Sequence, residues 1–169
     1  TRTPYYTEHV RRHLIAKVGK DAFFRGGYRV ETAVQPFVQI MARKNVEEMA
    51  RWQDKRQGWR GAEEHLDKAG QKRFLSKSRE LYPQRPTDPT RDVLALVTQV
   101  HRHGAKIRIG DHPGFIPLDH MRWAYRYRKR YGITDKSIAN ANRALKAGDV
   151  VWVRWRGRTS AQQHQYALE

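Results

Sequence analysis

Cysteine is missing from all 169 residues. That removes disulfides, thiolate metal sites and cysteine nucleophiles. It leaves the redox compartment open. No run of 18 apolar residues occurs, so no segment reads as a membrane-spanning helix. Residues 1–20 are mixed polar and charged, unlike a secretory signal. A piece of a larger exported or anchored protein fits these facts equally well. Acidic side chains are scarce: 17, against 34 Lys and Arg, for a net charge of +17. Apolar residues make up 38%, below the usual share for a globular domain.

Such a surface attracts polyanions: nucleic acid, anionic headgroups, acidic cell-wall polymers or an acidic protein. The charge is uneven. Residues 121–158 carry 11 basic side chains and 2 acidic ones, whereas residues 61–92 carry 7 and 6. A generally basic, solvated surface accounts for the composition as well as a specific anionic partner does.

Catalytic patterns are also absent. There is no phosphate-cradling G-x-x-x-x-G-K-[ST], no G-x-G-x-x-G and no G-x-S-x-G. Ser76, Ser78, Ser137 and Ser160 are followed three residues on by Arg79, Leu81, Asn140 and Gln163, so S-x-x-K fails. His9 and His13 have i, i+4 spacing but no third ligand, which reads as helix surface and predicts no metal. Glu47-Glu48 and Glu63-Glu64 are adjacent and would diverge on a helix. No cofactor is expected.

The chain changes texture part-way. Thr3-Pro4 followed by Tyr6, Val10, Leu14 and Val18 predicts a helix over 3–18, stopped by Gly19. Tyr28, Val30, Thr32 and Val34 alternate like a strand. A second helix starts at Pro36, with Val38, Met41, Ala42, Val46 and Met49 on one stripe and Gly58 as its end. Residues 68–81 form a shorter one, with Phe74, Ser78 and Leu81 on one side. Pro83, Pro86 and Pro89 read as a boundary. Beyond it the period becomes two. Strands are expected over 92–100, 105–109, 115–118, 150–156 and 163–168, with another around Trp123, Tyr125 and Tyr127. A helical segment followed by short strands predicts an α+β chain ending in a small OB-like β-barrel.

One tract carries a positive signal. Trp123, Tyr125, Tyr127 and Tyr131 interleave with Arg122, Arg126, Arg128, Lys129 and Arg130. Exposed aromatics beside arginines are what a single-stranded nucleic-acid binder uses. Strand alternation around a filled barrel produces the same pattern with the aromatics inside. The same ambiguity holds for Arg154 and Arg156 beside Trp152, and for the stretch RWQDKRQGWRG at 51–61.

Taken in order, several motifs resemble class A penicillin-binding proteins of the 1A type. Tyr5-Tyr6-Thr7-Glu8-His9-Val10 is similar to the helix that follows their glycosyltransferase domain. Phe23-Phe24-Arg25-Gly26-Gly27-Tyr28-Arg29-Val30-Glu31-Thr32 is similar to their "LYTGGLRVYTT" segment. Trp52-Gln53-Asp54-Lys55-Arg56-Gln57-Gly58-Trp59-Arg60-Gly61 is similar to "YDRRHGYRGP". Met121-Arg122-Trp123-Ala124, Leu145 through Val153 (LKAGDVVWV) and Tyr166-Ala167-Leu168-Glu169 are similar to parts of their inserted OB-like domain. The chain departs at the family's "TTLDP" turn, where Val34 and Gln35 replace leucine and aspartate. Gln35 is a weaker N-cap than aspartate.

The resemblance implies a helical interdomain linker region with one strand over residues 1–89 and an OB-like β-barrel domain over residues 90–169. It implies a non-catalytic regulatory or interaction part of a bifunctional peptidoglycan synthase. The glycosyltransferase and transpeptidase active sites would lie outside this fragment. The location implied is the periplasmic side of the inner membrane, with membrane attachment only through an N-terminal anchor that is missing here. Implied partners are peptidoglycan or an acidic regulatory protein, such as an outer-membrane lipoprotein activator, together with contacts to the two catalytic domains. Arg122, Arg126, Arg128, Lys129, Arg130, Arg154, Arg156 and Arg158 are the expected anionic-partner face. A single-stranded nucleic-acid-binding OB module is the alternative.

Overall fold

The computed structural model describes residues 3–126, 136–159 and 161–169. The chain divides into two compact units, Thr1–Gln53 and Asp54–Glu169.

In the first unit, helix α1 (Pro4–Val18) opens on a proline, whose missing N–H costs nothing in a first turn. Glu8 accepts from Arg11 and Arg12 at 2.7 and 2.9 Å on its surface. Gly19, at φ 84°, ends α1, and a short helix α2 (Lys20–Arg25) follows that the sequence pattern does not separate. Helix α3 (Pro36–Gln57) begins at the expected proline and runs to Gly58. None of the three buries a residue. The α3 stripe residues Val38, Met41, Val46 and Met49 are all exposed, as are Tyr5, Phe24 and Phe37.

The strand expected around Tyr28–Val34 is not formed; residues 28–35 have no regular secondary structure. Alternation makes a strand only when a neighbour completes the hydrogen bonds. Among the described residues none pairs with this segment, and Tyr28 and Val30 are exposed.

The second unit is built around β2 (Asp92–His101), β3 (Gly104–Ile109), β4 (His112–Pro117), β5 (Asp149–Arg158) and β6 (His164–Leu168). A two-residue strand, β1 (Glu64–His65), adds to β5. Neighbours run β5-β2-β3-β4-β6, and β6 pairs back with β5 to close a five-stranded barrel. Pairing is antiparallel except between β4 and β6, which are parallel and share one register pair, Phe115↔Gln165. This is an OB-like barrel after a helical segment, the α+β arrangement expected from the sequence. Period-two alternation explains the closure. Val93, Ala95 and Val97, Ile107 and Ile109, and Val151 and Val153 turn inward onto Ile116, Tyr166 and Leu168 in one buried cluster.

Helix α4 (Lys68–Leu81) has the predicted bounds. Asp67 caps it by accepting the Gly70 N–H at 2.7 Å. It contacts β2 and β3. Arg79 holds Asp111 through two hydrogen bonds of 2.5 and 2.7 Å. At the same turn Gly110 has φ 57°, and a Cβ there would stand 2.9 Å from Arg79 Cα. Glycine is what lets the β3–β4 turn reach α4. Leu81, expected on the packed side, is exposed.

The three prolines do not mark where the chain divides. Their segment is strapped to the barrel. Tyr82 packs against the core, and its carbonyl accepts from His112 Nε2 at 3.3 Å. Arg85 donates to the Pro113 carbonyl, and the Tyr166 hydroxyl donates to Pro86 O at 3.3 Å. The strand expected around Trp123, Tyr125 and Tyr127 is not formed over its described part, and Tyr127 lies outside the described residues. Residues 121–123 form a turn, with the Ala124 N–H on Met121 O at 2.9 Å and the Tyr125 N–H on Trp123 O at 2.7 Å. Arg126 makes only an isolated bridge, to Trp59.

Candidate interaction surface

The eight expected face residues fare differently. Arg128, Lys129 and Arg130, with Tyr127 and Tyr131, lie outside the described residues. Arg154 lies on the outer face of β5 yet is buried. Its guanidinium makes two bonds of 2.7 Å to Asp92, its register partner on β2. That fork-to-fork pair occupies the charge. Arg156 is exposed and reaches Glu169 at 3.0 Å. Arg158 is exposed and donates to Gln162 Oε1 at 3.3 Å. Arg122 is exposed and pairs with Asp119 at 2.7 Å, and Arg126 is exposed.

Contacts connect the segment after β4 to β5. Lys55 Nζ lies 5.3 Å from the centroid of the Trp123 ring and 2.8 Å from Glu169, which also holds Arg156. Trp59 and Trp123 meet edge to face, with centroids 5.6 Å apart. Their indole N–H groups donate to Ala144 O at 3.2 Å and Leu168 O at 3.3 Å. Trp59, Trp123, Tyr125 and Trp155 all pack against the core. Trp152, 39% exposed, is the one open tryptophan of the barrel among the described residues. In RWQDKRQGWRG, Trp59 is therefore a packing residue.

A second basic cluster has no contiguous motif in the sequence. Arg85, Lys106, Arg108 and His164 line one groove of about 430 Å³. Lys106 and Arg108 alternate with inward-facing Ile107, so β3 presents both outward. That spacing is a legible signal, but Arg85 and His164 join them only through the fold. His164 Nδ1 accepts from Trp155 Nε1 at 3.3 Å. Burial, then the charges of Arg85, Arg158 and His112, pushes its pKa down and favours the neutral ring. Among the described residues, no three His, Asp or Glu side chains converge as a metal site would require.

A sequence model described as the penicillin-binding protein OB-like domain matches residues 59–169. The chain belongs to that family. Outside the barrel the likeness continues. Penicillin-binding protein 1A of Vibrio cholerae is 29% identical over 163 residues, covering 94% of this chain and 19% of that protein. Its Escherichia coli counterpart is 28% identical over 156 residues, covering 89% and 18%. The chain thus spans about a fifth of the curated relatives it matches. The crystal structure of penicillin-binding protein 1A from Haemophilus influenzae superposes with a TM-score of 0.52 at 22% identity. That match covers 97% of this chain and 22% of the other. It shows a shared fold. The matched residues begin at Trp59 and so include α4 and the proline segment.

Proposed function

We propose that this chain is the non-catalytic linker and OB-like interaction domain of a bifunctional peptidoglycan synthase of the penicillin-binding protein 1A type. The parent would carry its glycosyltransferase and transpeptidase sites outside these residues and act on the periplasmic side of the inner membrane. The observation that carries this reading is the uncovered first unit. Three helices bury no side chain, yet present Phe37, Val38, Met41, Val46 and Met49 to solvent. Apolar area of that kind marks an interface. Neighbouring domains of the same longer protein are the fitting cover. Hydrogen exchange tests it. The α3 amides should exchange quickly in this chain alone and slowly in the longer protein. Equal rates would refute the cover.

Arg122, Arg126, Arg128, Lys129, Arg130, Arg156 and Arg158 then serve as a face for an anionic partner, peptidoglycan or an acidic regulatory protein. Arg154 is spent on Asp92 and contributes structure. Glutamate at 122, 126 and 129 together should reduce retention on purified sacculi or on the partner at low salt. Unchanged retention would remove the face. The nucleic-acid alternative requires rings exposed beside arginines; Trp152, exposed on the face of β5 that also carries Arg154 and Arg156, is what favours it among the described residues.

A further inference from the structure

The proline segment crosses the end of the barrel where β2 begins. Three hydrogen bonds fix it there: His112 Nε2 to Tyr82 O at 3.3 Å, Arg85 to Pro113 O, and the Tyr166 hydroxyl to Pro86 O at 3.3 Å. The segment is thereby held in place without a ligand, which lowers the cost of binding one. Between it and the sheet lies a cavity of about 510 Å³. That is within the range of small-molecule sites, and a barrel mouth is one of the places where they occur. Its apolar wall is Tyr82, Pro83, Pro86, Val93 and Trp155. Trp155 continues the inward row of Val151 and Val153, and its indole N–H is spent on His164 Nδ1 at 3.3 Å. It therefore offers a ligand surface and no donor.

The polar side chains of the cavity are Gln84, Asp88, Arg91 and Asp92. Asp92 is held by Arg154. Asp88 accepts from the Thr90 N–H and hydroxyl at 2.8 and 2.6 Å, both through Oδ1, which leaves Oδ2 to accept again. Neither the Gln84 nor the Arg91 side chain makes a hydrogen bond among the described residues. Both are exposed. Asp88 and Arg91 offset one another, so the cavity offers donors and acceptors without net charge. It does so in a chain that carries +17 overall.

We infer that this cavity binds an uncharged sugar ring of a glycan, with the ring's C–H face against Tyr82 and Trp155 and its hydroxyls on Gln84, Asp88 and Arg91. A hydroxyl both donates and accepts, which is what a carboxylate, an amide and a guanidinium together require of a neutral ligand. A nucleotide would bring its phosphate against Asp88 and Asp92. A proline-rich strand also suits aromatic walls, but its imide nitrogens carry no hydrogen for Asp88 to accept. The cavity shares no residue with the Arg122–Arg158 face and asks for no charge on the ligand. Its failure would leave that face untouched.

The probe is chitotriose, an uncharged trimer of N-acetylglucosamine, titrated into the 169-residue chain and followed by nitrogen–proton NMR. Shifts in the wild-type protein should centre on the Trp155 indole N–H and the amides of Tyr82, Asp88 and Val93. The cavity variant is Gln84→Ala with Arg91→Ala. The control is Arg73→Ala with Gln99→Ala, the same pair of side chains removed from exposed positions elsewhere. The cavity variant should weaken binding at least about fivefold and the control by less than about twofold. The wild-type shift map keeps the test valid if the cavity variant folds poorly. No shift at millimolar trimer, shifts centred elsewhere, or equal losses in both variants would overturn the site. Tighter binding of a prolyl hexapeptide through the same signals would overturn the sugar assignment.

Discussion

Lys55 Nζ lies 2.8 Å from Glu169 Oε2, a contact within the second unit. The Glu169 side chain is 8% exposed and also holds Arg156 at 3.0 Å. Two cations thus share one sheltered carboxylate. Glu169→Gln keeps the shape and removes the charge. Its cost should fall between the surface and buried limits, at about 2 kcal/mol. Urea unfolding measures it, and a midpoint equal to wild type would show that the carboxylate does not stabilise the second unit.

Arg154 and Asp92 make the other sheltered pair. Asp92→Ala would leave a guanidinium buried on the barrel wall without its partner. The expected loss is roughly 3 kcal/mol. Replacing both, as Asp92→Leu with Arg154→Met, should recover most of that loss. A single variant as stable as wild type would mean that water reaches the freed arginine.

Gly114 is fixed by a close approach. A Cβ there would lie 2.6 Å from Tyr166 Cε2 and 3.2 Å from Ile107 Cγ1. Tyr166 and Ile107 are both buried in the core, so neither ring nor chain has room to yield. Gly114→Ala should destabilise the barrel by about 1–3 kcal/mol. Thermal unfolding of the variant tests this, and an unchanged midpoint would refute the contact.

His164 gives the barrel a pH response. Its pKa is lowered in the fold, so the unfolded chain binds a proton more readily. The stability it supplies is complete above the ordinary histidine range. It falls away as pH drops through the ordinary value toward the depressed one. His164→Gln should flatten that part of the stability profile. Equal slopes for the two proteins between neutral pH and pH ~5 would assign the response to other groups.

What the sequence revealed follows from how local each signal is. Helix α4 was legible to the residue because Asp67 caps it and Tyr82-Pro83 follows. The barrel strands were legible because one face of each is buried, which enforces alternation. Alternation misled at 28–34 and 123–125, where no strand ladder forms among the described residues. The proline segment was read as a boundary because its tethers, His112, Pro113 and Tyr166, lie 30 or more residues away for two of three contacts. Arg154 was read as surface for the same reason. Nothing near it in sequence announces Asp92, 62 residues earlier. The groove was missed because Arg85, Lys106, Arg108 and His164 become neighbours only when the sheet closes.

Barrel closure also sets a timetable during synthesis. β2, β3 and β4 can pair as soon as residue 117 has left the ribosome. The other edge of β2 waits for β5, whose first residue is Asp149. In that interval a growing chain displays the apolar face of a three-stranded sheet, and β2 keeps an open edge. Residues 118–148 hold eight Lys and Arg against two Asp, and like charge of that kind opposes contact between two such faces.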